Sequence, residues 1–175
     1  MGRFIGLEEE GQMRVLIVAA AASVALAAPA SAQTDAELMA PIQKFVDSFN
    51  KGDAAGAAAT HAPGADLTII DEVPPYVWRG AKAFQAWNAD LESDAKKNGI
   101  TESMVTLSAP TRTERNVDQA YVVVPAVYTF TQRGAAMREA AQMTVVLRRG
   151  ASGWLIHAWT WTGPKPQAAA APAKK

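Results

Sequence analysis

Apolar residues recur along this chain with two different periods. Leu38, Ile42, Phe45, Val46 and Phe49 follow one another at intervals of three and four and predict one face of a helix. Thr34-Asp35-Ala36-Glu37 just ahead of them has the form of a capping box, whose hydroxyl and carboxylate satisfy the free backbone donors of a first turn. Asn50-Lys51-Gly52 ends the helix, because glycine adopts the left-handed conformation that closes it. Asp53 is placed to cap a second, shorter helix over Ala54 to His61, which Pro63-Gly64 breaks. A third helix, Ala81 to about Lys97, carries Phe84, Trp87 and Leu91 on one face and stops at Asn98-Gly99.

The second period is two. Ala65 to Asp71, Met104 to Pro110, Gln119 to Gln132, Arg138 to Arg149 and Trp154 to Thr162 read as strands. Arg133-Gly134 and Gly150 to Gly153 are turns, so the last three strands form an antiparallel meander. Pro74 and Pro75 cannot donate to a ladder, which makes Glu72 to Arg79 a loop or an irregular edge. Helices first and strands afterwards is an α+β order. Pro164 to Lys175 is Pro, Ala and Lys apart from Gln167, and is expected to be a disordered tail.

The N-terminus follows neither period. Met13-Arg14 opens a short basic region, Val15 to Ala28 is apolar, and Ala30-Ser31-Ala32 has small residues where a signal peptidase cuts. Residues 1–32 therefore read as a signal peptide, with the domain over 33–163, and the expected location is periplasmic or secreted. The apolar run is too short for a stable membrane span. Glu8, Glu9 and Glu10 stand where a signal peptide is basic, so translation is expected to start at Met13.

Composition narrows the chemistry. Seventeen basic and seventeen acidic residues leave no net charge to attract nucleic acid. There is no cysteine, hence no disulfide and no thiolate metal site, and two histidines far apart make no metal motif. No cofactor fingerprint occurs, and Gly150-Ala151-Ser152-Gly153 is a hairpin turn and not a nucleophile elbow.

Four segments together carry a resemblance. They are Phe49-Asn50-Lys51-Gly52-Asp53 at a helix end, Ile69-Ile70-Asp71-Glu72 at a strand end, Trp78-Arg79-Gly80 opening a helix, and Gly153-Trp154-Leu155-Ile156 opening the last strand. In this order the chain resembles the SnoaL-like branch of the nuclear transport factor 2-like superfamily over Thr34 to Gly163. The resemblance implies a cone, in which a curved antiparallel sheet wraps the first helix around a pocket, and often a homodimer through the sheet. It implies no single reaction, since one fold hosts many functions.

Asp71 is the leading chemical candidate. Adjacent strand residues face opposite ways, so at most one of Asp71 and Glu72 enters a cavity, and Trp78 and Tyr76 would raise the pKa of a base there. The pocket is expected to be lined by Phe45 and Phe49 of the first helix, by Trp78 as its roof, and by Trp87. From the sheet come Met143, Val145, Trp154 and Ile156, with Tyr128 helping to orient the ligand. Alternation in the last strand sets Trp154 and Ile156 on one face and His157, Trp159 and Trp161 on the other. The resemblance turns the first pair inward, and two wet tryptophans are costly, so the second set is expected at a partner interface. The opposite register, with His157 in the pocket, stays open. His61 is expected to cap the second helix. Three functions follow: a binder of a small apolar molecule, a cofactor-free isomerase or lyase with Asp71 as base, or a homodimeric interaction module.

Overall fold

The computed structural model of the chain describes residues 30–169. The expected signal peptide, apart from its last three residues, and the alternative start at Met13 lie outside the described residues. Helix α1 (Ala30–Asn50) buries Leu38, Ile42, Phe45 and Val46, the stripe read from their spacing. It begins ahead of Thr34, so the expected capping box lies inside the helix and not at its start. Asp53 does cap α2 (Ala54–Ala58), accepting from the Gly56 amide at 2.9 Å. Helix α3 (Ala83–Asn98) buries Phe84 and Trp87 and ends on Gly99 at φ 65°, a conformation that favours glycine.

The strands are β1 (Thr68–Ile70), β2 (Val77–Arg79), β3 (Ile100–Leu107), β4 (Arg112–Arg115), β5 (Gln119–Gln132), β6 (Ala135–Gly150), β7 (Gly153–Thr162) and β8 (Gln167–Ala168). They form one curved sheet in the order β2-β1-β7-β6-β5-β3, with β4 on β5 and β8 on β6. The expected meander is present: β5 pairs β6 along its whole length, and β6 pairs β7. The sheet is not purely antiparallel, because β1 runs parallel to β7. Val77–Arg79, expected to be loop or irregular edge, is a three-residue edge strand. That position tolerates the preceding prolines, because an edge leaves one side without ladder bonds. Within the described part of the expected tail, Gln167–Ala168 pairs with Met137 and Arg138 of β6.

One irregularity decides which side chains face inward. Between β6 and β7 the register shifts after Val146, where Leu147 pairs Ile156 but Val146 pairs Ala158, leaving His157 as the extra residue of a bulge. Alternation therefore inverts at His157. Trp154 and Ile156 share the inner face of the sheet before it, and Trp159 and Trp161 share the same face after it. Inner residues of β6 (Met143, Val145, Leu147) lie opposite Trp161, Trp159 and Ile156. A second register shift, between Thr101 and Met104 of β3, bends the far edge. There Asn50 at the end of α1 donates to the Val105 carbonyl and accepts from its amide, both at 2.8 Å, completing the open edge as a strand would.

Candidate functional site

Curling the sheet around α1 and α3 leaves a cavity of about 220 Å³. Phe45, Val46 and Phe49 of α1 and Trp87 and Leu91 of α3 form one side. Val105, Tyr128, Phe130, Met143, Trp159 and Trp161 form the sheet side. The polar end is made by Asp71 and Glu72 after β1, by Glu139 of β6 and by Asp94 of α3, and Pro166 of the tail lies beside it.

Two tryptophans hold two carboxyl groups in this wall. Trp87 Nε1 donates to Asp71 Oδ2 at 2.7 Å, and Trp161 Nε1 donates to Glu139 Oε1 at 2.8 Å. The other Asp71 oxygen accepts from the Glu72 amide at 2.7 Å. Glu72 Oε1 accepts from the Gly163 amide at 3.1 Å. A Cβ on Gly163 would collide with Glu139 Oε1, so the bare backbone there makes room for that carboxylate. The Tyr128 hydroxyl shares a hydrogen bond with Ser103 Oγ at 2.9 Å.

Burial dominates the protonation equilibria of this wall, because removing water disfavours the charged form. It raises the Asp71 pKa against the opposing pull of the Trp87 and Glu72 hydrogen bonds. It raises Glu139 to about 7, opposed by Trp161 and reinforced by the charges of Glu72 and Asp71. Glu72 is raised by burial, and its neighbour Asp71 adds to the effect. Tyr128 is raised by burial and by the nearby acids Asp71, Glu139 and Asp94.

Beneath the aromatic wall, His61 is 6 % exposed. Its Nε2 accepts from Trp159 Nε1 at 3.1 Å, and Nδ1 lies 3.0 Å from the Ala57 carbonyl. An indole only donates and a carbonyl only accepts, so the proton sits on Nδ1. Burial lowers the pKa to about 4 and keeps the ring neutral. The expected tie to the end of α2 is present, and the ring also anchors a cavity tryptophan.

Phe45, Phe49, Trp87, Tyr128 and Met143 reach the cavity, as does Asp71. Four expected lining residues do not. Trp78 is not the roof: its indole donates to Asp90 of α3 at 2.8 Å, and Tyr76 is exposed, so the aromatic neighbour of Asp71 is Trp87. Val145 and Ile156 are wholly buried in the core. Trp154 lines a separate groove with Lys44 and Arg149, and its Nε1 has no hydrogen-bond partner among the described residues. Trp159 and Trp161 are corrected from an outer interface to the cavity wall, and His157 sits half-buried at the bulge. Asp71 and Glu72 both line the cavity, because β1 ends at Ile70 and strand alternation stops before them.

Glu139 and Asp94 were not singled out from the sequence, although signals existed. Glu139 interrupts the apolar series Met137, Ala141, Met143, Val145, Leu147 at the inward parity of β6. Asp94 follows Trp87 by seven residues and Leu91 by three, on one helical face. Among the described residues no group of three or more acids or histidines could hold a metal ion. No helix among them is long and apolar enough to cross a membrane.

The architecture, a curved sheet closed on a long helix with a hollow at one end, is a nuclear transport factor 2-like fold. The SnoaL-like domain family matches residues 38–160, and the chain belongs to that family. Among solved structures it is similar to a ketosteroid isomerase-like protein from Erwinia carotovora atroseptica SCRI1043. The identity is 18 %, covering 77 % of this chain and 98 % of the other, with a TM-score of 0.59. A nuclear transport factor 2-like protein from Salmonella enterica serovar Typhimurium is 16 % identical over 77 % of this chain and 94 % of its own, with a TM-score of 0.63. A type 2 hexachlorocyclohexane dehydrochlorinase is 13 % identical over 82 % and 96 %, with a TM-score of 0.62. At these identities the likeness is one of fold. No curated protein matches the sequence.

Proposed function

We propose that this protein binds a small, largely apolar molecule in the hollow between α1, α3 and the sheet, after export from the cytoplasm. The observation that carries this reading is the cavity of about 220 Å³ walled by aromatic rings and closed at one end by carboxyl groups. An apolar body gains by leaving water against the rings, while a few polar groups at one end fix its orientation. Titration with tert-butylbenzene and its charged isosteres phenyltrimethylammonium and phenylphosphonate is expected to shift the emission of Trp87, Trp159 and Trp161. Met143→Trp, which fills the hollow, abolishes that shift. No response to any of the three compounds sinks the reading. Export is tested by N-terminal sequencing of protein from its host, with Gln33 expected first.

A second reading is a cofactor-independent isomerase or lyase. It is favoured by the raised pKa of Asp71, a base held by Trp87 beside the open cavity and close to Tyr128. Asp71→Asn keeps an acceptor for Trp87, so turnover of a substrate disappears while binding remains. The homodimeric module loses its main argument, since the two tryptophans assigned to a partner turn inward.

A further inference from the structure

We propose that the molecule this cavity takes is an organic cation, a protonated or quaternary amine carried on an apolar body. The proposal rests on the binding reading above and names the ligand class for the same site.

The wall offers acceptors and almost no free donors. Three indole N–H groups line or flank it, and all three are engaged: Trp87 on Asp71, Trp161 on Glu139 and Trp159 on His61. The Tyr128 hydroxyl is shared with Ser103. A ligand carbonyl or carboxylate arriving here would compete with these bonds. Four carboxyl groups line the cavity, and among the described residues no Lys, Arg or His does. The ion pairs among the described residues, Arg112–Glu114 and Arg115–Glu37, involve none of these four.

Glu139 states the imbalance most sharply. It is 3 % exposed, Trp161 takes its Oε1, and Oε2 has no hydrogen-bond partner among the described residues although the side chain faces the cavity. A buried carboxylate without a countercharge is costly, and a cation entering the hollow relieves that cost. The upward pKa shifts of Asp71, Glu72 and Glu139 come first from burial, which disfavours their charged forms, and a cation bound beside them would oppose that shift.

The rings select the form of the cation. Trp87 and Trp159 meet at 89° with centroids 5.1 Å apart, and Tyr128 and Trp161 at 85° and 6.3 Å. Perpendicular rings set the edge of one against the face of the other, and a wall so rich in aromatic rings suits a bulky, weakly hydrated cation, which aromatic rings attract electrostatically. The carboxylates are spread around the wall and form no cluster fit for a metal ion. Such a distribution suits a charge delocalised over an ammonium group better than a compact ion.

The test is calorimetric titration at pH 8 with phenyltrimethylammonium, its neutral isostere tert-butylbenzene and the anion phenylphosphonate. The cation is expected to bind about tenfold or more tightly than the neutral compound, with the anion weakest. Glu139→Gln, which keeps an acceptor for Trp161, lowers the preference for the cation about threefold or more. Asp94→Asn, nearer the solvent, lowers it less, and circular dichroism verifies that both variants fold. Equal or tighter binding of tert-butylbenzene or phenylphosphonate overturns the cation and leaves the pocket reading standing. An undiminished preference in both variants overturns it as well. If none of the three binds, the pocket reading fails and takes this inference with it.

Discussion

Trp161 lies opposite Met143 in the β6–β7 ladder, yet its indole reaches four residues along β6 to donate to Glu139 Oε1 at 2.8 Å. This reach places one acid of the wall behind an aromatic plate and away from water. Its carboxyl accordingly titrates at about 7, mainly through burial. Since the folded-state value exceeds that of the unfolded chain, the neutral carboxyl contributes stability that is complete below about 4.5 and is lost as pH rises through about 7. Glu139→Gln cannot ionise. Calorimetric melting at pH 4.5, 6 and 8 should show the wild type losing ground to the variant across that window. A constant difference between the two at all three pH values would remove Glu139 as the titrating group.

His61 has the opposite sign. Its pKa is lowered by burial to about 4, so the stability of its neutral ring is present above about 6.5 and is lost as pH falls through 4. His61→Phe removes this acid sensitivity but orphans the Trp159 indole N–H, costing about 1–3 kcal/mol at pH 7. Urea unfolding at pH 7 and pH 5 measures both effects. A variant as stable as the wild type at pH 7 would show that the Trp159–His61 bond contributes nothing.

Gly163 couples two acids, donating its amide to Glu72 and leaving space for Glu139. Gly163→Ala brings a methyl group against Glu139 Oε1 and is expected to cost about 1–3 kcal/mol. In a Glu139→Ala background much of that cost disappears, because the severest collision is gone and only the close contact with Ala141 Cβ at 3.0 Å remains. The four proteins of this cycle, compared by urea unfolding, test the contact. Equal costs in the two backgrounds would place the strain elsewhere.

Trp159→Ala tests the corrected orientation of β7. The ring packs on Phe45 and Trp87 inside the cone, so its loss costs about 3–5 kcal/mol and leaves the molar mass in solution unchanged. A change of oligomer size without loss of stability, measured by light scattering and urea unfolding, would return Trp159 to an outer interface.

Much of the architecture follows from local patterns. The stripe Leu38-Ile42-Phe45-Val46 becomes the buried face of α1, Gly99 closes α3, and the turns at Arg133-Gly134 and Gly150–Gly153 set the meander. Each signal depends on residues within a few positions of one another, where helix and strand periods and turn chemistry act. Phe45, Phe49, Trp87 and Asp71 could be assigned to the cavity wall once the family resemblance supplied the cone around α1.

What alternation could not reveal is where it inverts. A bulge is set by the pairing of Val146 and Leu147 with a strand that returns from a turn, and nothing within β7 itself marks His157 as the extra residue. One inserted residue moves Trp159 and Trp161 across the sheet, which is why an interface expected from the sequence becomes a cavity wall. The meeting of Glu139 with Glu72 and Gly163, and of His61 with Trp159, likewise joins residues far apart in the chain. The sequence by itself determined the elements and their amphipathic faces, through short-range periodicity and backbone preference. Only the closed tertiary structure decided which acids share one dry wall, because burial and charge depend on neighbours brought together by the curvature of the sheet.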